Sequence, residues 1–159
     1  MKRNGFTRKI ASVFLILLLL FLLGCGGKKA KGLKTTEGDP EVLYKQGLVL
    51  LNNKHYREAF EKFELLKSNF PDSPPFTILA EMKVGDCHYH LKEYAEAIAS
   101  YEEFKKVHPT YEEMPYIQFQ LGMCYFSQMT TADRDQTSTQ KAMANFEYLI
   151  ANYPLNLFT

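Results

Sequence analysis

Cysteine is scarce in this sequence, which holds only Cys25, Cys87 and Cys124 among its 159 residues. Small exported domains that depend on disulfides carry far more cysteine, so a disulfide framework is excluded. An excess of basic charge is also missing, because 19 Lys and Arg are balanced by 18 Asp and Glu. This balance gives no electrostatic case for binding nucleic acid.

Patterns that carry catalysis or bind metals are missing as well. The sequence shows no glycine-rich phosphate loop, no nucleophile–base pair and no paired catalytic carboxylates. His88 and His90 are two residues apart, so a helix directs them about 200° from each other and they cannot bind one ion. His55 and His108 are predicted at helix boundaries. We therefore expect a non-enzymatic protein without a metal or other cofactor.

A hydrophobic run long enough to cross a bilayer is the third absence. Ile10 to Leu23 form 14 consecutive uncharged residues, whereas a membrane-spanning helix needs ~20. Four basic residues and no acidic ones precede this run, which is typical of a secretory signal. Residues 1–24 are therefore predicted to be a signal peptide. An uncleaved anchor is the alternative, and four lysines between positions 28 and 34 disfavour a longer span.

The stretch LLGCGG, at positions 22–27, closes the signal. It resembles the lipobox of bacterial lipoproteins, and this resemblance implies that Cys25 is lipidated as the first mature residue. Each buried methylene contributes ~0.8 kcal/mol, so several acyl chains on one residue hold a domain at a bilayer. Gly26, in place of an aspartate, leaves delivery to the outer membrane open. The chain without residues 1–24 carries 15 basic and 18 acidic side chains, a net charge of −3.

Internal repeats organise the remaining chain. Gly47, Gly85 and Gly122 are separated by 38 and 37 residues, and an alanine lies twelve residues before the proline that ends each unit. This pattern resembles the tetratricopeptide repeat, a pair of helices. The predicted fold is all-α, an array of about three helix pairs after a flexible tether at 25–38. The repeat domain covers 39–159, with repeats at about 40–73, 74–111 and 115–155.

Helix boundaries follow from capping and proline signals. Asp39 and Pro40 are expected to start the first helix, and Ser73 and Pro74 the third. Thr137 with Gln140 could form a capping box at the last helix. The six helices are predicted at roughly 40–53, 55–69, 75–91, 94–107, 115–128 and 138–152.

Small residues are expected where the two helices of each unit cross, with aromatic side chains filling the space between one unit and the next. Glu81 and Gln118 occupy slots where the repeat pattern usually has a bulky residue. Cys87 and Cys124 each follow a repeat glycine by two positions, and we expect both to be packed as free thiols.

The first helix of each unit is expected to line the inner face of the array. Three positions per unit reach that face, at three before, one after and four after the glycine. They are Tyr44, Leu48, Leu51, Met82, Asp86, Tyr89, Phe119, Met123 and Phe126. Eight of the nine are apolar or aromatic, which favours a groove for apolar peptides. The same residues could instead be core that other helices cover, and the sequence leaves both interpretations open.

Together, the lipobox cysteine, the tether and the repeats resemble the BamD family of outer-membrane protein assembly lipoproteins. The most specific element is the long loop of the third unit, with DRDQT before KAMANFEYLIANYP. The resemblance covers roughly 25–154. It implies a non-catalytic subunit of the β-barrel assembly machinery, anchored on the periplasmic face of the outer membrane of a Gram-negative bacterium.

The same resemblance implies the partners. They are the insertase BamA, other assembly subunits and unfolded β-barrel proteins, with Asp133, Arg134 and Asp135 as a partner loop. The family usually has five repeats, so we expect that this three-repeat sequence is a truncated form. A pilotin-like or generic tetratricopeptide lipoprotein scaffold of the envelope is the alternative function.

Overall fold

A computed structural model of the chain describes residues 38–129, 136–155 and 158. Within those residues it contains six α-helices and no strand. The helices are α1 (Pro40–Asn52), α2 (Tyr56–Asn69), α3 (Phe76–His90), α4 (Tyr94–Val107), α5 (Met114–Ser127) and α6 (Thr137–Asn152). None of the described helices is both long enough and apolar enough to span a bilayer.

Each helix packs against the next along the chain, and α1 also contacts α3. The helices therefore form three successive pairs, α1–α2, α3–α4 and α5–α6, as a tetratricopeptide array requires. The predicted all-α fold is confirmed, and the predicted helix ends agree with the structure within about two residues.

One of the three predicted helix starts is confirmed. The Asp39 carboxylate accepts a hydrogen bond of 2.9 Å from the Glu41 amide at the start of α1. The prediction for Ser73 is wrong, because Pro75 is the N-cap of α3 and no side chain caps it. The capping box at Thr137 is also wrong. Gln136 is the N-cap of α6, so Thr137 is already the first helical residue.

Tight turns join the helices within the first two pairs. Lys54 and Lys92 take the left-handed conformation there, with φ of 65° and 63°. The Lys54 amide donates to the Leu51 carbonyl, and the Lys92 amide donates to that of Tyr89, both at 3.0 Å. A residue in this conformation satisfies carbonyls at a helix C-terminus and reverses the chain. Two equivalent turns therefore set the same geometry in both pairs.

An aromatic ring lies on each repeat glycine. Phe63, Tyr101 and Phe146 project from the second helix of a pair onto Gly47, Gly85 and Gly122 of the first. A methyl group on Gly47 or Gly85 would lie 2.5 Å from the ring. The expectation that these aromatics fill the space between units is therefore wrong for this set, since each ring locks the two helices of its own pair.

Two hydrophobic clusters hold most of the buried apolar residues in the described part of the chain, and both include residues of α3. Ala80, Val84 and Cys87 belong to the cluster that contains Phe63 of the first pair. Met82 belongs to the cluster that contains residues of α4 and α5. Helix α3 therefore buries opposite faces, which explains why it holds more buried residues than α1.

Glu81 and Gln118 occupy repeat positions that usually hold a bulky residue. Each contacts a polar residue on the second helix of its pair or at the C-cap of that helix. Glu81 Oε2 lies 2.7 Å from His108 Nε2 at the end of α4. Gln118, which is 3% exposed, donates to Asn145 Oδ1 of α6 at 2.6 Å. In the first pair the slot holds Leu43, which is buried in the core. The second and third pairs thus replace an apolar contact with a hydrogen bond between their two helices.

Replacement of Gly85 by alanine should lower the free energy of unfolding. The added methyl group meets the buried Tyr101 ring, and such overpacking costs about 1–3 kcal/mol, against about 1 kcal/mol gained in helix propensity. Urea unfolding followed by circular dichroism measures the change. Gly38→Ala is the matched control, because nothing lies within 4 Å of its added methyl group. A Gly85→Ala protein as stable as the parent would contradict this packing.

Candidate peptide-binding surface

The nine residues predicted to line the inner face differ in burial. We call them the inner surface. Met82 and Asp86 are buried, Phe126 is 52% exposed, and the other six are half-buried. The inner surface is therefore neither an open groove along its whole length nor fully covered core.

The part of the inner surface on α1 is largely packed against the protein itself. Tyr44 lies 5.9 Å from the Phe63 ring and 6.0 Å from the Phe76 ring, measured between centroids. Leu48 and Leu51 pack against the same hydrophobic cluster. Covered core describes these three residues better than an open groove.

Asp86 departs most from the sequence prediction, since at 4% exposure it is covered by neighbouring side chains and lines no open groove. Its Oδ1 accepts hydrogen bonds of 2.7 Å from the Tyr101 and Tyr116 hydroxyls. Its Oδ2 pairs with Lys83 Nζ at 2.7 Å. The carboxylate is thus fully engaged by three donors from α3, α4 and α5 and joins the second pair to the third.

Burial and the Asp86 charge act together on the neighbouring groups. Burial is the larger cause that raises the pKa of Tyr101 and Tyr116, and Asp86 adds to it. Burial, again followed by Asp86, raises the pKa of Cys87 and of Cys124 to about 12. Both cysteines are buried free thiols, as predicted. Phenols and thiols therefore stay protonated, and the phenols act as donors.

Removal of the Asp86 carboxylate should destabilise the protein. In Asp86→Ala the Tyr101 and Tyr116 hydroxyls lose their acceptor, and each buried donor left unsatisfied costs about 1–3 kcal/mol. Asp86→Asn is the matched control, because its amide oxygen still accepts and only the charge pair with Lys83 is lost. Urea unfolding should rank the Ala variant clearly below the Asn variant. Equal stability of the two would show that the hydrogen bonds to this carboxylate contribute nothing.

An aromatic pocket opens beside this network. The Phe158 ring packs against the rings of Phe119 and Tyr116, at centroid–centroid distances of 5.4 and 5.5 Å, respectively. The adjoining cavity has a volume of about 300 Å³. Its lining consists of Met82, Lys83, Glu112, Glu113, Pro115, Tyr116 and Phe158. Because Phe158 comes from beyond the last helix, the pocket shows directly how this surface holds an aromatic side chain that a helix does not supply.

Beyond the pocket, the end of α5 exposes apolar side chains. Phe126 is 52% exposed and Met129 is 37% exposed. Met123 lies one turn earlier on the same helix and is half-buried. Exposed methionine and phenylalanine side chains are adaptable contacts for apolar partners. The inner surface is therefore most open along α5.

The histidines of α3 serve the packing between the first two pairs. His88 Nδ1 lies 2.8 Å from Glu93 Oε2, and Arg57 of α2 pairs with the same carboxylate. The hydrogen bond to His88, followed by that to Arg57, lowers the pKa of Glu93. His90 stacks on Tyr56 at 4.7 Å. Each histidine thus has its own partner from the first pair or the turn, as their separation on the helix requires.

Among the residues that shape the site, sequence reasoning missed Lys83, Tyr101, Tyr116 and Phe158. A signal for Tyr101 as the partner of Asp86 was present. Only the second unit has an acidic residue just after its glycine, and only that unit has a tyrosine where the others have phenylalanine. The predicted lipidation site Cys25 and the predicted partner loop Asp133, Arg134 and Asp135 lie outside the described residues.

Three successive helix pairs with a repeated glycine–aromatic contact define a helical-repeat protein of the tetratricopeptide type. Residues 36–159 match the family model YfiO, described as an outer membrane lipoprotein. Because the match covers most of the sequence, the chain belongs to the YfiO family.

Relatives at modest identity carry one name, outer membrane protein assembly factor BamD. The protein from Caulobacter vibrioides is 28% identical over 148 residues, which cover 92% of this chain and 48% of the relative. That from Rickettsia prowazekii is 25% identical over 92% of this chain and 58% of the relative. That from Vibrio cholerae is 24% identical over 87% of this chain and 60% of the relative. The chain thus spans about half of its relatives' length.

Proposed function

We propose that this chain is a non-catalytic subunit of the machinery that assembles β-barrel proteins into the outer membrane. In this role its inner surface binds aromatic side chains of unfolded barrel proteins. The observation that carries the proposal is the seating of Phe158 on Phe119 and Tyr116. Family membership and the relatives' name support the cellular role.

The pocket suits an unfolded chain better than a folded partner. One side chain enters it, and the contacts are ring to ring, so binding needs no prior structure in the ligand. The exposed Phe126 of α5 and Met129, two residues after that helix, extend the apolar surface. An extended segment with alternating aromatic residues, as in a barrel strand, could contact both regions.

A lipid on Cys25 is the proposed anchor, and it places the repeats on the periplasmic face of the outer membrane. The lipobox-like sequence supports the modification. In this proposal, residues 25–38 link the lipid to the repeats. The insertase BamA and other assembly subunits are the proposed partners, with the loop of Asp133, Arg134 and Asp135 as one contact. The name shared by the relatives disfavours the pilotin-like alternative.

Replacement of Phe119 and Phe126 together by alanine should weaken the binding of an unfolded-barrel peptide. The probe is a fluorescent peptide from the aromatic C-terminal strand of a barrel protein, and fluorescence anisotropy gives its Kd. Loss of the stacking platform should raise that Kd about tenfold.

Met143→Ala is the control for this experiment, because Met143 is 56% exposed on α6 and lies outside the inner surface. Its Kd should equal that of the parent protein. Circular dichroism confirms that both variants fold. If the double variant binds the peptide as tightly as the parent, the inner surface is not the binding site.

Replacement of Cys25 by serine should release the protein from the membrane or leave it unprocessed, because serine cannot carry the thioether-linked lipid. Fractionation of cells that express either form, followed by mass spectrometry of the mature N-terminus, measures the outcome. Cys87→Ser is the control, since Cys87 is a buried thiol of the core. Outer-membrane fractionation of the Cys25→Ser protein would contradict lipid anchoring.

A further inference from the structure

The aromatic pocket is already occupied by a residue of the same chain. The Phe158 ring stacks on Phe119 with their planes 28° apart and contacts Tyr116 at a tilt of 59°. It also forms part of the wall of the adjoining cavity. Offset or tilted rings at these separations attract each other. A second ring that used the same faces of Phe119 and Tyr116 would need the space that Phe158 fills.

The adjoining cavity offers no other approach to this stacking position. Its lining includes Tyr116 and Phe158 but not Phe119. Phe119 also contacts Phe146 of α6, at 6.2 Å between centroids, and Phe146 is fixed against Gly122 in the third helix pair. Of these two neighbours, Phe158 is the one that can leave without disturbing a helix pair. A ligand ring therefore reaches Phe119 by displacing Phe158.

Phe158 is held less firmly than the rings of the core. It is 37% exposed, whereas Phe63 and Tyr101 are 0% exposed. It follows the last residue of α6 by six positions, and Leu155 between them is 99% exposed. A short connection of this kind gives a group a local concentration on the order of millimolar at its binding position. The contact therefore forms readily, although it buries less surface than a core ring does.

We propose that Phe158 is an internal competitor that regulates the binding of aromatic side chains at this pocket. A peptide ring takes the position on Phe119 and Tyr116 only while Phe158 is displaced, and Phe158 returns when the peptide leaves. This inference rests on the proposed peptide binding and adds its regulation. A position that is open about one tenth of the time raises the apparent Kd of every ligand about tenfold. Peptides with one weakly bound ring are then excluded, and segments that also contact Phe126 are favoured.

Replacement of Phe158 by alanine tests the competition. The probe is a fluorescent peptide that ends in phenylalanine, and fluorescence anisotropy with the full chain gives its Kd. We expect the Phe158→Ala protein to bind this peptide about tenfold more tightly than the parent does. Leu155→Ala is the matched control, because it shortens an exposed apolar side chain of the same segment, and its Kd should equal that of the parent. Circular dichroism confirms that both variants fold.

A tryptophan probe reports the position of the ring without any ligand. The sequence contains no tryptophan, so Phe158→Trp introduces a single indole, and Leu155→Trp supplies an exposed reference. We expect the indole of Phe158→Trp to emit at a shorter wavelength than the reference and to be quenched less by acrylamide. A saturating amount of the unlabelled peptide, which lacks tryptophan, should shift its emission to that of the reference.

The outcomes distinguish this inference from the proposed function. Unchanged affinity of Phe158→Ala would overturn the competition and leave peptide binding intact. Weaker binding would also overturn it, because Phe158 would then be part of the surface that holds the ligand. An indole that is as exposed as the reference, or that does not respond to bound peptide, would contradict displacement. Absence of binding by both the parent and Phe158→Ala would overturn the competition together with the peptide-binding role.

Discussion

The stacking of an aromatic ring on a glycine is the contact on which the rest of the fold depends. It occurs once in each helix pair, at Gly47, Gly85 and Gly122. A ring in direct contact with backbone fixes both the distance and the rotation of the two helices, because neither can shift without a clash. Helices held in this way present the same face in every pair, so aromatic residues at equivalent positions come to lie along one surface.

The second pair adds a polar constraint to this apolar one. Tyr101 lies on Gly85 and also donates to Asp86, so a single residue serves both the ring contact and the hydrogen-bond network. Tyr116 of α5 donates to the same carboxylate and forms one wall of the aromatic pocket. The hydrogen bonds to Asp86 therefore fix the position of Tyr116 in the pocket wall. Preorganised walls lower the ordering cost of binding, which is how a small surface can hold a single side chain.

Asp86 shows why the site was harder to predict than the fold. Its position in the repeat predicted that it faces the inner side of α3, but periodicity fixes only direction. Whether a side chain on that side is open or covered depends on the neighbouring helix, and Tyr116 and Lys83 close over this one. Phe119 occupies an equivalent side of α5, and the ring on it is that of Phe158. Residues predicted on the same side of the first helices thus differ in burial because different neighbours face them.

The sequence by itself determined the six helices, their pairing and the buried free cysteines, because glycine, alanine and proline spacing acts through local backbone geometry. It also determined family membership, since the lipobox cysteine, the repeats and the DRDQT segment are recognisable without coordinates. Only the tertiary structure decided which inner residues form a pocket and which carboxylate is satisfied. These properties depend on contacts between residues far apart in the chain, such as Asp86 with Tyr116, and no local pattern encodes such distances.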